Sequence, residues 1–341
     1  MAIVPEERKS VAAGFTGDRT SLAEWRRELK AAVRSLPQLL AAVDLPANIA
    51  AAENDFPIFV PRPFLARIRR GDPADPLLLQ VLPRAEETVV RPGFATDAVG
   101  DLAAVRSPGL IHKYRGRALL ITTGACAVHC RYCFRRHYPY SDSPRSVADW
   151  EPALEILRDD PSIEEVLLSG GDPWTIVDDT LAELARRLAE IPHLRRLRIH
   201  TRLPVMIPSR VDSELLRWLC GTRLTPLVVV HVNHAQEIDA AVAASLARLI
   251  DAGVPVLNQA VLLRGVNDSV DALVALSKSL IDLRVMPYYL HQLDRVQGAA
   301  HFEVPIERGQ VLVDKMRREL PGYAVPRYVQ ESPGELFKRG L

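Results

Sequence analysis

From Arg117 onward, short apolar runs alternate with segments whose apolar residues recur every three or four positions. The runs are ALLIT (118–122), EVLLS (165–169), RLRIH (196–200), LVVVHV (227–232), PVLNQAVLL (255–263) and VMPYYL (285–290). All are of strand length. Between them, helical periodicity predicts helices over 150–159, 180–190, 214–219, 240–252 and 270–282. Strands that alternate with helices argue for βα units and a mostly parallel sheet. Six such units predict an α/β fold built as an incomplete (β/α)6 barrel. Ligands of such sheets gather at the C-terminal ends of the strands, so the residues just after each strand are the candidates for chemistry.

Upstream, Ser21 reads as an N-cap with Glu24 closing a capping box. Leu29, Val33, Leu36 and Leu40 then recur as on one helix face. PIFVPRPF (57–64) is a proline-broken connector, and residues 73–100 carry no long periodic segment. There is no internal repeat and no low-complexity tract. The expected organisation is a helical and irregular extension over 1–105, a barrel core over 106–310 and a C-terminal segment over 311–341.

Composition narrows the classes. The 341 residues include 43 Lys+Arg and 42 Asp+Glu, and the formal net charge of +1 offers no field for nucleic acid or an anionic membrane. With 48% hydrophobic and 25% charged residues, the chain is an ordinary globular one. No apolar run approaches the ~20 residues of a membrane span. The polar start MAIVPEERKS is unlike a secretory signal, and the expected location is cytoplasmic.

Three of the four cysteines fall within GACAVHCRYCFRR, after the first strand. Cys126, Cys130 and Cys133 have C-x3-C-x2-C spacing. Three thiolates on one loop can hold three irons of a [4Fe–4S] cluster and leave the fourth iron open. A zinc site would take a fourth ligand, which His129 or His137 could provide. Spacing alone leaves both open. Cys220 reads as a buried apolar residue in a helix. LLSGGDPW follows the second strand: Gly170 and Gly171 allow close backbone approach to a ligand, beside Ser169, and Asp172 offers an acceptor to an ammonium. Taken alone, the segment is also a plausible β-turn. Later strands end in HTR (200–202), HVNH (231–234) and NQAVLLRGVND (258–268), which puts His231 and Gln259 at or near strand ends.

The cysteine motif in this place resembles the radical S-adenosylmethionine superfamily. LLSGGD, NQAVLLRGVND, MPYY and AAHF in this order resemble its lysine 2,3-aminomutase family, from His112 onward. HQLDRVQGAAHF, together with the short tail, is similar to the branch that supplies β-lysine for modification of elongation factor P. The resemblance implies a [4Fe–4S] cluster, S-adenosylmethionine and pyridoxal 5′-phosphate as cofactors. It also implies L-lysine as substrate, converted from (S)-α-lysine to (R)-β-lysine through a 5′-deoxyadenosyl radical. A flavodoxin- or ferredoxin-like one-electron reductant and a functional link to elongation factor P and its lysyl ligase complete the expected partners. A homo-oligomer stays open.

Residue by residue, Ser169, Gly170, Gly171 and Asp172 match the stretch that binds S-adenosylmethionine, with His231 and Gln259 as further cofactor residues. Lys338 matches the Schiff-base lysine, although Pro333-Gly334-Glu335-Leu336-Phe337 stands where metabolic relatives have a glycine-rich run. Arg117 matches a phosphate-contacting arginine and Tyr114 a neighbouring cofactor residue, while Lys113 stands where relatives have arginine. Arg135 matches the arginine that pairs with the substrate carboxylate. Asp294 matches one acid that holds the distant ammonium, and Glu331 aligns with the second, an aspartate in metabolic relatives. The competing expectations are a general metabolic lysine 2,3-aminomutase, a radical S-adenosylmethionine RNA methyltransferase and a zinc-stabilised binding protein.

Overall fold

A computed structural model describes residues 23–47, 49, 55–144 and 146–341. Among the described residues, ten strands form one sheet in chain order. Strands β1 (Val105–Ser107), β2 (Leu110–Tyr114) and β3 (Arg117–Thr123) are an antiparallel meander at one edge. From β3 the sheet runs parallel through β4 (Glu165–Gly170), β5 (Arg196–Thr201), β6 (Thr225–His231), β7 (Val256–Val261), β8 (Met286–His291) and β9 (Arg327–Gln330). A two-residue β10 (Arg339–Gly340) closes the far edge by pairing antiparallel with β9. β1 and β10 do not pair with each other, so the barrel is incomplete.

Helices Glu151–Asp159, Asp178–Ala189, Ser213–Cys220, Ala240–Asp251, Val270–Asp282 and Ile306–Glu319 each follow one of β3 to β8, making the six βα units. Their starts are chemically marked. Asp212 accepts from Leu215 N at 2.9 Å, Asp239 from Val242 N at 2.9 Å and Ser269 from Ala272 N at 3.2 Å, and each bond satisfies one of the otherwise orphaned first-turn amides. β5 shows how strand alternation sets the layers. Leu197, Ile199 and Thr201 are buried towards the helices, while Arg196, Arg198 and His200 are only partly buried. Arg198 reaches Glu165 of β4 at 2.6 Å, and the His200 ring lies 5.8 Å from that of His231 on β6. These contacts across neighbouring strands put a polar lining inside the barrel.

The helix Ile306–Glu319 spans the expected boundary at residue 310, and β9 continues the same sheet. It packs closely on β9: a Cβ on Gly309 would lie 2.1 Å from the Tyr328 hydroxyl, so only glycine leaves room there.

The N-terminal region differs from its expected single helix. Helix Glu24–Lys30 stops, Val33 pairs with Val60 in a bridge, and a second helix begins at Leu36–Ala42 with Pro37 in its first turn. Proline is favoured there because it needs no amide partner, and it starts a helix rather than continuing one. The expected Ser21 cap lies outside the described residues. Among the described residues, no helix is long and apolar enough to cross a membrane.

Candidate active site

The loop after β3 carries Cys126, Cys130 and Cys133, and its backbone is anchored from the extension. His129 N donates to Phe59 O and Arg131 N to Gln80 O, each at 2.9 Å. The fully buried Arg131 donates to Glu87 at 2.9 and 2.5 Å and to Phe56 O at 2.9 Å, while Arg136 reaches Glu87 at 2.8 Å. The two histidines of the zinc alternative each have one ring nitrogen held by the fold. His129 Nδ1 lies 2.9 Å from Pro57 O with its ring against Phe56 and Phe59, and His137 Nε2 lies 3.1 Å from Gln297 O. Among the described residues, no three His, Cys, Asp or Glu side chains converge on one metal ion. A cluster takes its thiolate ligands on separate irons, so three cysteines on one loop suffice for it without a fourth side chain. Burial and then Cys133, Asp172 and Cys130 push the Cys126 thiol well up, and burial and then Cys130 push Cys133 to about 11. Such crowded sulfurs become thiolates only against positive charge, which irons would bring.

Cys220 does not have its expected burial. It ends the helix Ser213–Cys220 and is exposed, with its sulfur 3.9 Å from Ala252 O.

The SGGD loop packs on the cysteine loop. Gly171 N donates to Thr123 O and Asp172 N to Ala125 O, both at 2.7 Å. A Cβ on Gly171 would sit 2.2 Å from Ala125 O. The close approach expected towards a ligand is therefore made loop to loop. Asp172 is also engaged by its own fold. Oδ1 accepts from Thr201 Oγ1 at 2.7 Å and Trp174 N at 3.1 Å, and Oδ2 from Arg202 N at 2.7 Å. A buried carboxylate so bonded joins the loop to the end of β5. Ser169 faces inward and accepts from Arg135 Nη1 at 3.1 Å.

A chain of alternating charges crosses from this loop to the C-terminal hairpin. Arg135 Nε donates to Asp101 Oδ2 at 2.7 Å, and Lys113 Nζ lies 2.5 Å from Asp101 Oδ1 and 3.2 Å from Glu331 Oε1. Glu331 also pairs with Lys338. Burial alone would raise the Glu331 pKa, but Lys338 and Lys113 outweigh it and bring it to about 2. Asp101 shows the same contest: burial raises, while Arg135 and Lys113 hold it below its usual range. Asp294 lies beside this chain but outside it. Its Oδ1 is buried without a hydrogen-bond partner, and burial, then Glu331, push its pKa up to about 7.

The lumen between these groups is lined by neutral histidines. His231 Nε2 lies 2.9 Å from Gln259 Nε2, and burial with Arg202 and Arg135 lowers its pKa to about 3. His291 is lowered to about 3 by burial and Lys338, and His200 lies well below its usual value through burial and Arg198. The Nε2 atoms of His200 and His291 are, like Asp294 Oδ1, buried without partners. Orphaned polar atoms around one lysine fit a polar guest. Arg117 lies over the Tyr114 ring at 4.6 Å, and Glu331 acts on the Tyr114 hydroxyl.

The structure thus brings Arg135 and Ser169 together. It also groups Glu331, Lys338, Asp294 and Tyr114, and pairs His231 with Gln259. Sequence reading missed Asp101, which joins Arg135 to Lys113, and Arg202, whose guanidinium reaches Cys130 Sγ at 2.8 Å. Arg202 stood visible in HTR, but its partners are distant in the chain.

Comparison with known proteins bears on the same region. Residues 120–276 match the family described as the Radical SAM superfamily. The chain is 43% identical over 323 residues to "L-lysine 2,3-aminomutase" of Escherichia coli (strain K12), covering 93% of this chain and 94% of that protein. It is 44% identical to the protein of the same name from Haemophilus influenzae, covering 91% and 93%. Against the Clostridium subterminale protein of that name it is 33% identical, covering 91% of this chain and 76% of the relative.

Proposed function

This chain belongs to the L-lysine 2,3-aminomutase family of radical S-adenosylmethionine enzymes, which are isomerases, and from that premise we propose that it makes (R)-β-lysine from (S)-α-lysine in the cytoplasm for the modification of elongation factor P. When bound, a [4Fe–4S] cluster with S-adenosylmethionine supplies a radical able to take an unactivated hydrogen, and pyridoxal phosphate supplies the carbonyl that lets an amine migrate.

The chain's own residues bind and orient. Cys126, Cys130 and Cys133 would hold the cluster, and the SGGD loop, packed on theirs, would seat S-adenosylmethionine with His231 and Gln259 near by. Lys338 would hold the carbonyl cofactor, with Tyr114 and Arg117 beside it. The observation that carries the reading is the charge chain itself. It runs from Arg135 to Lys338 and leaves a buried carboxyl, Asp294, uncommitted beside its far end. Lysine is a carboxylate and an ammonium separated by a flexible stem, so a guanidinium and a free carboxyl in one lumen match its two ends. Substrate carboxylate would share Arg135 with Asp101. Glu331, already engaged by Lys113 and Lys338, would secure the hairpin and lend charge to the ammonium end.

The assignment of Asp294 gives a pH signature. With its pKa at about 7, the carboxyl is protonated at lower pH and must shed a proton to meet the ammonium. Lysine affinity should therefore rise with pH and level off above about 7, weakening roughly tenfold one unit below. Asp294→Asn should flatten this profile and lose preference for lysine over analogues without the ε-ammonium; an unchanged profile and preference refute the role. Arg135→Lys loses the two-pronged carboxylate contact and should lower kcat/KM by about 10- to 150-fold, or on the order of 1.5–3 kcal/mol.

The elongation factor link is supported by HQLDRVQGAAHF and by the near full-length match to the compact relatives. Expressing the chain in bacteria deleted for their own aminomutase tests it. Recovery of the β-lysyl mass on the factor, with (R)-β-lysine formed by the purified enzyme, supports it. Formation of β-lysine without any change in the factor would leave a general metabolic enzyme.

A further inference from the structure

Arg202 follows β5, and its side chain is buried. Nη1 is 2.8 Å from Cys130 Sγ. Every other part of the residue is held elsewhere. Nη2 donates to Glu237 Oε2 at 2.9 Å and Gln80 Oε1 at 3.1 Å, Nε to His231 O at 3.2 Å, and the backbone N to Asp172. The guanidinium carbon lies 5.9 Å from the centre of the Tyr132 ring. Glu237 is itself fixed, for its Oε1 accepts from Gln80 Nε2 at 3.0 Å and from the amides of Asn233 and His234 at 2.9 and 3.1 Å. The extension, the cysteine loop and the ends of β5 and β6 thus converge to aim one charged N–H at one sulfur. A salt bridge serving the fold alone would be complete with Glu237 and Gln80, and the remaining N–H needs a separate account.

Resting on the reading of the cysteine loop as a cluster site, we propose that Arg202 raises the reduction potential of the cluster by donating a fixed, charged hydrogen bond to the Cys130 sulfur. The cluster takes one electron from a low-potential one-electron reductant, and no proton passes through Arg202, which keeps its charge. The added electron places more negative charge on the core and its thiolates. An N–H aimed at one of those sulfurs therefore binds the reduced state more strongly than the oxidised one. Hydrogen bonds to sulfur and burial are the protein's levers on such potentials. Because the guanidinium is held before reduction, little reorganisation is spent when the charge arrives. Arg202 is thus a positioning residue that acts through Cys130.

The test uses full-length protein reconstituted anaerobically with iron and sulfide, analysed for metal and titrated electrochemically with electron paramagnetic resonance detection. Failure of the wild-type protein to bind about four irons would overturn the cluster reading itself. With the cluster loaded, Arg202→Gln should have a more negative midpoint. The expected change is roughly tenfold in the oxidised-to-reduced ratio at fixed potential, or about 59 mV for one electron. Arg202→Lys keeps the charge without the fork and should fall between Gln and wild type. Midpoints of both loaded variants equal to wild type overturn the proposal. Should neither variant load, the wild-type protein grown with 15N-guanidinium arginine decides it. A 15N hyperfine coupling to the reduced cluster is expected, and its absence overturns the proposal.

Discussion

Alanine at any one of Cys126, Cys130 and Cys133 is expected to abolish reductive cleavage of S-adenosylmethionine. With three ligands for a four-iron cluster there is no spare thiolate. Cys220 cannot substitute, because it sits exposed at the end of its helix, on a different βα unit. One ring nitrogen of each of His129 and His137 is held at a backbone carbonyl, and an imidazole is a poor replacement for a thiolate on iron–sulfur. Each variant should fold, since the loop is anchored by Arg131, Glu87 and Gln80 rather than by the sulfurs. The measurements are iron and sulfide content, visible absorbance and 5′-deoxyadenosine formation. Cys220→Ala is the control and should match wild type. Normal cleavage by all three single variants would sink the assignment of the loop.

Lys338→Ala should have the second large effect, on turnover rather than on the cluster. Lys338 would be the covalent tether of an aldehyde cofactor. Removing it should eliminate the adduct trapped by borohydride and collapse β-lysine formation by orders of magnitude. Iron content should not change, because the cysteine loop and the C-terminal hairpin are separate elements. Arginine cannot replace it, since a guanidinium stays protonated and does not condense with the aldehyde. Holding the aldehyde would take Lys338 out of its pairing with Glu331, whose other partner Lys113 keeps the carboxylate paired. Peptide mapping after reduction locates the tether. A pyridoxyl group on Lys338 supports the role, and one on Lys113, Lys278 or Lys315 refutes it.

The six strands and five helices were legible because each carries its own periodicity and sits between its own breakers. β1, β2, β9 and β10 were not, because two to five residues carry little pattern and their pairing is decided elsewhere in the chain. The helix Ile306–Glu319 left a signal that went unread, with Pro305 at its start and Leu312, Val313 and Met316 on its buried side. In the extension, Leu29, Val33, Leu36 and Leu40 have helical spacing, yet Val33 is claimed by Val60, a tertiary pairing that local spacing cannot express. The cysteine triplet was readable because its chemistry lies within one loop. The bonds of Asp172 were hidden for the converse reason: Thr201 at the end of the next strand and Arg202 just after it donate to its oxygens. Asp101 and Arg202 stayed hidden because nothing near them in sequence names their partners.

The alternating charges from Arg135 through Asp101, Lys113 and Glu331 to Lys338 have a consequence for how such a sequence can change. Neutralising Asp101 leaves Arg135 and Lys113 facing each other without the anion between them. Neutralising Lys113 does the same to Asp101 and Glu331. Each step alone sets two like charges across a gap, held only by their outer partners, whereas removing Asp101 and Lys113 together takes away both confrontations: the Glu331–Lys338 pair stays whole and Arg135 alone loses its anion. Effects at these positions should therefore be strongly epistatic, with double changes milder than the sum of the singles. Drift through this part of the barrel would proceed by linked pairs of substitutions, and the order in which they arise would decide which routes stay open.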